Sequence, residues 1–219
     1  MTTTAIRPRS VAPSTTRRLL TCGILAGPVF VLTGFVQGLT RAGFDFARHP
    51  ASVLSNGSLG FLQITNFLVT GLLTIAAAAG IRRVLPGRWG PRLLTAYGVS
   101  LLCAGVFRAD PQDGFPASTP AGPPASISWH GTLHFVAGGV GFAALVAACF
   151  AIGSHLTPAR AWYSRLSGLL FLAGFAGVAS GSTSPAVTLG FWAAVTIAWV
   201  WLATTSVHLI RLMPRGESR

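Results

Sequence analysis

Lysine is missing from this chain altogether, and its 219 residues hold only four carboxylates: Asp45, Asp110, Asp113 and Glu217. Charged residues amount to 9 %, where a soluble domain carries about a quarter. A surface that poor in charge excludes an ordinary water-soluble fold. Cysteine is scarce too. Cys22, Cys103 and Cys149 lie inside or at the edge of apolar runs, and none has a C-x-x-C partner. Thiols so placed behave as small hydrophobes, and no disulfide is predicted.

What fills the chain instead is apolar. Hydrophobic residues make up 51 % and gather into six stretches near 20–39, 59–81, 93–108, 129–153, 166–184 and 188–210. About 20 mainly apolar residues cross the hydrocarbon core of a bilayer. Four stretches reach that length, and the short third and fifth are expected to extend a turn into the interface. The sequence therefore predicts an all-α polytopic transmembrane bundle of six helices over 19–210, flanked by tails at 1–18 and 211–219. The first 16 residues, rich in Thr, Ser, Pro and Arg, predict disorder. Arg17-Arg18 resembles a twin-arginine signal and Leu20-Thr21-Cys22 a lipidation site. The cysteine, however, precedes the apolar run and no small-residue cleavage site follows it, so the run is expected to remain as the first helix.

The arginines give an orientation. With the N-terminus inside, cytoplasmic segments hold Arg7, Arg9, Arg17, Arg18, Arg82, Arg83, Arg88, Arg92, Arg160, Arg165, Arg211, Arg215 and Arg219, and only Arg41, Arg48 and Arg108 lie outside. Positive residues resist translocation, so this distribution predicts a multi-pass cell-membrane protein with both termini cytoplasmic. The formal charge of +12 sits in short loops and tails beside the spans. Its expected partner is therefore the lipid bilayer with its anionic head groups, and no nucleic acid. Arginine in place of lysine, with abundant Ala and Gly, is the composition expected from a GC-rich bacterial genome.

Inner connections, 82–92 and 154–165, are short Pro/Arg turns. Two outer ones, 40–58 and 109–128, are longer, and the second carries five prolines. The first, with Phe44, Phe46, Val53 and Leu54, is expected to lie on or dip into the outer interface. Gly23/Gly27, Gly34/Gly38 and Gly177/Gly181, each pair four apart, allow close helix approach. Gly27-Pro28 is expected to kink the first helix. The two halves show no similarity that would indicate an inverted repeat.

Costly polar residues collect at the outer end. His49 follows Arg48 in the first outer loop, four residues after Asp45. Gln63, Asn66, Thr70 and Thr74 form one stripe on the second helix. Arg108, Asp110 and Asp113 close the third, and His130 and His134 open the fourth, one turn apart and on one face. Polar groups at membrane depth are expensive unless they pair or meet water. One reading is a structural or ligand-binding network. In it Asp110-Pro111 stops the third helix, Arg108 pairs with an aspartate and the histidines bond loop carbonyls. It needs no cofactor. Its pocket, drawn from Asp45, His49, Ser52, Gln63, Asn66, Arg108, Asp110, Asp113, His130 and His134, would take a small polar solute or a lipid head group. The alternative is a metal-dependent membrane hydrolase in which His49, Asp110, His130 and His134 hold zinc with an open position. The H-x-x-x-H pair is similar to one in seven-helix hydrolases of the alkaline ceramidase and adiponectin-receptor type, which place it on the last helix rather than the fourth.

His155 and His208 lie toward the inner side, away from the other pair, which disfavours a bis-histidine haem. Trp89, Trp129 and Trp162 fall at span ends, as interfacial aromatic belts require. Trp192, Trp199 and Trp201 lie within the sixth span and are expected to pack or face lipid.

The segments D-F-A-R-H-P-A-S-V-L (45–54), G-x-L-G-F-L-Q (57–63), G-V-F-R-A-D-P-Q-D-G-F-P (105–116) and W-H-G-T-L-H (129–134) resemble the six-helix bacterial and archaeal membrane proteins of domain-of-unknown-function family 998. The resemblance implies an integral membrane protein and no established activity. Its motif positions map onto Asp45, His49, Pro50, Ser52, Gln63, Asp110, Pro111, Gly114, Pro116, His130 and His134.

Overall fold

A computed structural model describes residues 13–214, and most of the predicted N-terminal tail and the last five residues lie outside the described residues. Within them the chain forms six α-helices and one short 3-10 turn: α1 (Pro13–Thr40), the turn (Ala51–Ser55), α2 (Gly60–Val84), α3 (Trp89–Val106), α4 (Trp129–Gly153), α5 (Pro158–Ala179) and α6 (Pro185–Leu212). There is no strand among the described residues. Four helices, α1, α2, α4 and α6, are by themselves long and apolar enough to cross a membrane. The short third and fifth stretches gain length on the arginine-rich side, where α3 begins at Trp89 and α5 at Pro158. α5 stops earlier than its apolar stretch because Gly181, at φ 75°, takes the left-handed conformation that ends helices.

α1 also begins earlier than its apolar run, so residues 13–18 are helical rather than tail. Proline suits a first helical turn, where its missing N–H would have had no partner. Arg17 then ties the start of α1 to the segment just after α6, its Nη2 donating to the carbonyls of Met213 (3.4 Å) and Pro214 (3.0 Å).

The helices run up and down as a closed ring. Each packs on its neighbours in sequence, and α6 packs back on α1. Small residues set how closely they approach. On α1, a side chain at Gly23 would meet Ser206, at Gly27 Trp199, and at Gly34 Trp192, so this glycine face receives α6. Between α2 and α3, a Cβ on Gly71 would stand 2.8 Å from the Gly98 carbonyl oxygen. In lipid, where apolar burial does not distinguish helix from solvent, this closeness and the dispersion contacts it allows hold helices together. Polar bonds add to them: Ser164 donates to the Cys149 carbonyl at 2.6 Å, and Trp201 Nε1 donates to Ser164 Oγ at 2.8 Å.

Every helix sends an aromatic ring into the middle. Phe30 meets Phe67 (5.9 Å between centroids) and Trp199 (5.2 Å). Tyr97 meets Trp199 (5.9 Å) and Phe142 (6.5 Å). Phe142 continues to Phe171 (5.1 Å) and Phe191 (5.8 Å). The ring is thus plugged at mid-depth. Its outside is apolar, with Leu32, Leu39, Leu72, Phe135, Val140 and Leu166 exposed, as lipid contact requires. Trp89, Trp129 and Trp162 are 60 %, 64 % and 69 % exposed at helix starts, whereas Trp192, Trp199 and Trp201 are buried. Of the two settings expected for the sixth-span tryptophans, packing is the one observed.

Candidate functional site

Two loops close one end of the ring. In the α1–α2 loop, Asp45 starts a turn: its Oδ1 accepts the Ala47 N–H (2.8 Å), and its carbonyl accepts those of Arg48 (3.0 Å) and His49 (2.8 Å). Pro50 then leads into the 3-10 turn, inside which Ser55 Oγ donates to the Ser52 carbonyl at 2.7 Å. In the α3–α4 loop, Gln112 and Phe115 exchange backbone hydrogen bonds at 3.3 and 3.0 Å. Asp113 and Gly114 between them sit at φ 52° and 87°. Asp-Gly is the pair favoured where both central residues of a tight turn need positive φ.

The turn delivers Phe115 into a small apolar core with Val53, Leu54 and Phe44. The first loop packs on the ends of α1 and α2, and its apolar residues find partners in the second loop. The Arg41 guanidinium lies over the Phe115 ring at 4.7 Å and donates to the carbonyls of Leu54 and Asn56. Asn56 Nδ2 crosses to the Ala109 carbonyl at 3.0 Å.

His49 is the joint of this cap. It is fully buried. The Asp45 N–H donates to its Nδ1 at 2.9 Å, so Nδ1 carries no proton. Nε2 then bears the hydrogen and donates to the Asp113 carbonyl at 3.2 Å, which also accepts Arg48 Nη2 at 2.8 Å. The His49 carbonyl accepts Trp192 Nε1 from α6 at 3.0 Å. One neutral imidazole residue thus fastens both loops and the sixth helix. Burial pushes its pKa below the ordinary value, the hydrogen bond to Asp113 opposes that, the Arg48 charge lowers it further, and the Asp113 and Asp45 carboxylates pull upward.

Beneath the cap, three amides meet. Gln37 Nε2 donates to Gln63 Oε1 (3.0 Å), and Asn66 Nδ2 to Gln63 Oε1 (3.3 Å) and to the Phe30 carbonyl (3.2 Å). All three residues are buried. Three of their atoms have no protein partner: Gln37 Oε1, Gln63 Nε2 and Asn66 Oδ1. Lower on the same stripe, Thr70 and Thr74 bond carbonyls one turn back, at 2.6 and 2.7 Å, and are satisfied. On this stripe the side chains that keep unpaired atoms are those nearest the cap; single unpaired atoms also occur at His130 Nδ1, Trp199 Nε1 and Ser206 Oγ, but only the amides gather three at one place.

The remaining candidates have separate surroundings. Asp110 Oδ2 accepts the Ser128 N–H at 2.9 Å, at the start of α4, while Ser128 Oγ accepts the Gly131 N–H at 3.0 Å. A carboxylate there complements the helix dipole. It fits only because residue 131 is glycine, since a Cβ would stand 2.1 Å from Asp110 Oδ2. Asp110 thus starts α4 and does not stop α3, which has ended at Val106. His134 is buried, and its Nδ1–H donates to the Phe107 carbonyl at 2.8 Å. His130, one turn earlier, is half-buried, its ring 3.6 Å from that of Trp129. Asp45 and Arg108 are exposed, and Ser52 and Asp113 half-buried. The cap thus unites Asp45, His49, Ser52 and Asp113, and the amide cluster Gln63 and Asn66. His49, Asp110, His130 and His134 do not share a centre. Among the described residues no three His, Cys, Asp or Glu side chains form a group that could hold a metal ion.

Sequence reading missed Gln37, Arg41, Phe115, Gly131 and Trp192. Gln37 had a signal, being an uncharged polar residue near the end of a span and close in depth to Gln63. The others act through contacts remote in sequence.

The His49 geometry generates a pH prediction. In the unfolded chain histidine titrates near 6.5, and the native value is lower. The unfolded state therefore takes the extra proton first, and stability falls as pH drops below about 6.5. Protonation must also break the Asp45 N–H···Nδ1 bond. The apparent melting temperature in detergent is expected to fall between pH 7.5 and 5. His49→Gln should flatten that component, and His49→Ala should cost about 1–3 kcal/mol by stranding buried partners. Identical pH profiles for wild type and His49→Gln would remove His49 from this role.

Among curated proteins and among solved structures nothing matches this chain. A family model described as "Protein of unknown function (DUF998)" matches residues 24–208, a range that begins in α1, ends in α6 and contains both cap loops and the amide cluster. The chain belongs to the DUF998 family.

Proposed function

We propose that this membrane protein binds a small polar ligand, a solute or a lipid head group, in the amide cluster beneath the cap, with the cap on the outer side of the membrane. The observation that carries the reading is the set of unpaired atoms on Gln37, Gln63 and Asn66. Leaving a buried amide atom without a partner costs about 1–3 kcal/mol. Three at one place, supplying one donor and two acceptors, match an occupant that has both acceptor and donor groups. The aromatic plug directly below favours holding a ligand over conducting one. The cap above, fastened by His49, Arg48, Asn56 and the Phe115 core, is the route by which a ligand enters. The orientation rests on arginine placement: among the described residues Arg82, Arg83, Arg88, Arg92, Arg160 and Arg165 lie in or beside the turns opposite the cap.

Two experiments test this. Small-molecule extracts of purified wild type should contain, by mass spectrometry, a polar compound absent from Gln37→Leu/Gln63→Leu. That variant removes two of the three unpaired atoms together with the bond between Gln37 and Gln63 and leaves Asn66 Nδ2 on the Phe30 carbonyl, so its stability should change by no more than about 1–2 kcal/mol. Matching extracts from two folded proteins would refute ligand binding at these amides. For orientation, a cysteine at Ser126 should react with impermeant maleimide on intact cells, and one at Ser154 only after lysis. The opposite pattern would invert the assignment.

A further inference from the structure

A second site lies at the other end of the bundle. Between α5 and α6 a cleft of about 330 Å³ is lined by Arg160, Ala203, Thr204, Val207, His208 and Arg211. Arg160 belongs to the first turn of α5 and Arg211 to the last turn of α6, so two helices bring guanidinium groups to one opening. The three carboxylates among the described residues, Asp45, Asp110 and Asp113, all lie in the cap loops. No described residue is therefore available there as a counter-ion, and an anion entering the cleft would meet two guanidinium groups with no competing carboxylate. The N-terminus of α5 adds partial positive charge, and Thr157 makes no side-chain capping bond to its first turn.

The wall away from the arginines, toward the middle of α6, is apolar, formed by Ala203 and Val207. It is pinned by a hydrogen bond from Thr204 Oγ1 to Tyr163 Oη at 3.2 Å. Trp162, exposed and two residues from Arg160, marks interfacial depth. A cationic mouth above an apolar wall at that depth matches a phosphate that carries acyl chains more closely than a free ion. We propose that this cleft holds the phosphodiester of an anionic phospholipid, with Arg160 and Arg211 on its oxygens, His208 as a further donor, and the first acyl carbons against Ala203 and Val207.

The test measures retention of phosphatidylglycerol against phosphatidylcholine on full-length protein from mixed micelles, by native mass spectrometry. Wild type should retain phosphatidylglycerol selectively. Arg160→Gln/Arg211→Gln should lose that selectivity by tenfold or more, since each arginine near an anionic lipid surface is worth about fivefold. Arg82→Gln/Arg88→Gln removes the same charge from the same end without touching the cleft and should retain it. Val207→Trp, which fills the cleft and leaves the arginines in place, should lose it. The proposal fails if wild type shows no selectivity, if both double variants lose it equally, or if Val207→Trp retains it. It fails too if millimolar inorganic phosphate displaces the lipid, which would indicate a site for a soluble anion.

Discussion

Hydrocarbon offers no hydrogen-bond partner, and that single constraint arranges nearly everything in this protein. Backbone groups must be satisfied within each span, so the chain is helical wherever it crosses. Side-chain polar groups must be satisfied by neighbours, so Thr70 and Thr74 turn back onto their own helix and Ser164 reaches across to α4. Irregular backbone, which cannot meet lipid, is confined to the helix ends, and its two longest stretches lie at one end and pack against each other. The cap is the consequence. Two loops too polar to be buried separately become mutually satisfied when docked, with Arg41, His49 and Asn56 donating to carbonyls of the loops.

Against that background the exceptions carry information. Where a membrane protein leaves buried amide atoms without partners, the missing partner is either water or a ligand. Gln37, Gln63 and Asn66 sit where such a partner could arrive, within two turns of the helix ends that the cap covers, and above a plug of rings that would stop it going further. The joint that closes the cap is a histidine held neutral by a backbone N–H on one nitrogen and a carbonyl on the other. Retention of a ligand and closure of the cap would thus share a dependence on pH without sharing a residue.

Much of this was legible in the sequence. Helix number, the shortfall of the third and fifth stretches, the close approach of α6 at Gly23, Gly27 and Gly34 and the tryptophans at helix starts all follow from hydropathy, length and local spacing, and the structure has each of them; Gly38 instead makes room for Phe46 of the first loop. The polar stripe of Gln63 and Asn66 was visible because helical periodicity puts both on one face. What spacing could not supply was tertiary pairing. The bond from His49 to Asp113 spans 64 residues and the one from Trp192 to His49 spans 143, so no local pattern announces them. Gly131 was unremarked because its reason lies in another loop, in the carboxylate of Asp110. His130 and His134 show the limit of periodicity: four residues apart on one helix, one stacks on a tryptophan and the other is buried on a carbonyl.

The amides beneath the cap hold something other than themselves if the ligand reading is right. The most direct measurement is an experimental structure of the protein as purified from its membrane, at a resolution that shows ordered solvent. Density larger than a water molecule is expected within hydrogen-bond distance of Gln63 Nε2 and Gln37 Oε1, under a closed cap. Amides that pair fully with one another, or that hold a lone water, would contradict ligand binding there.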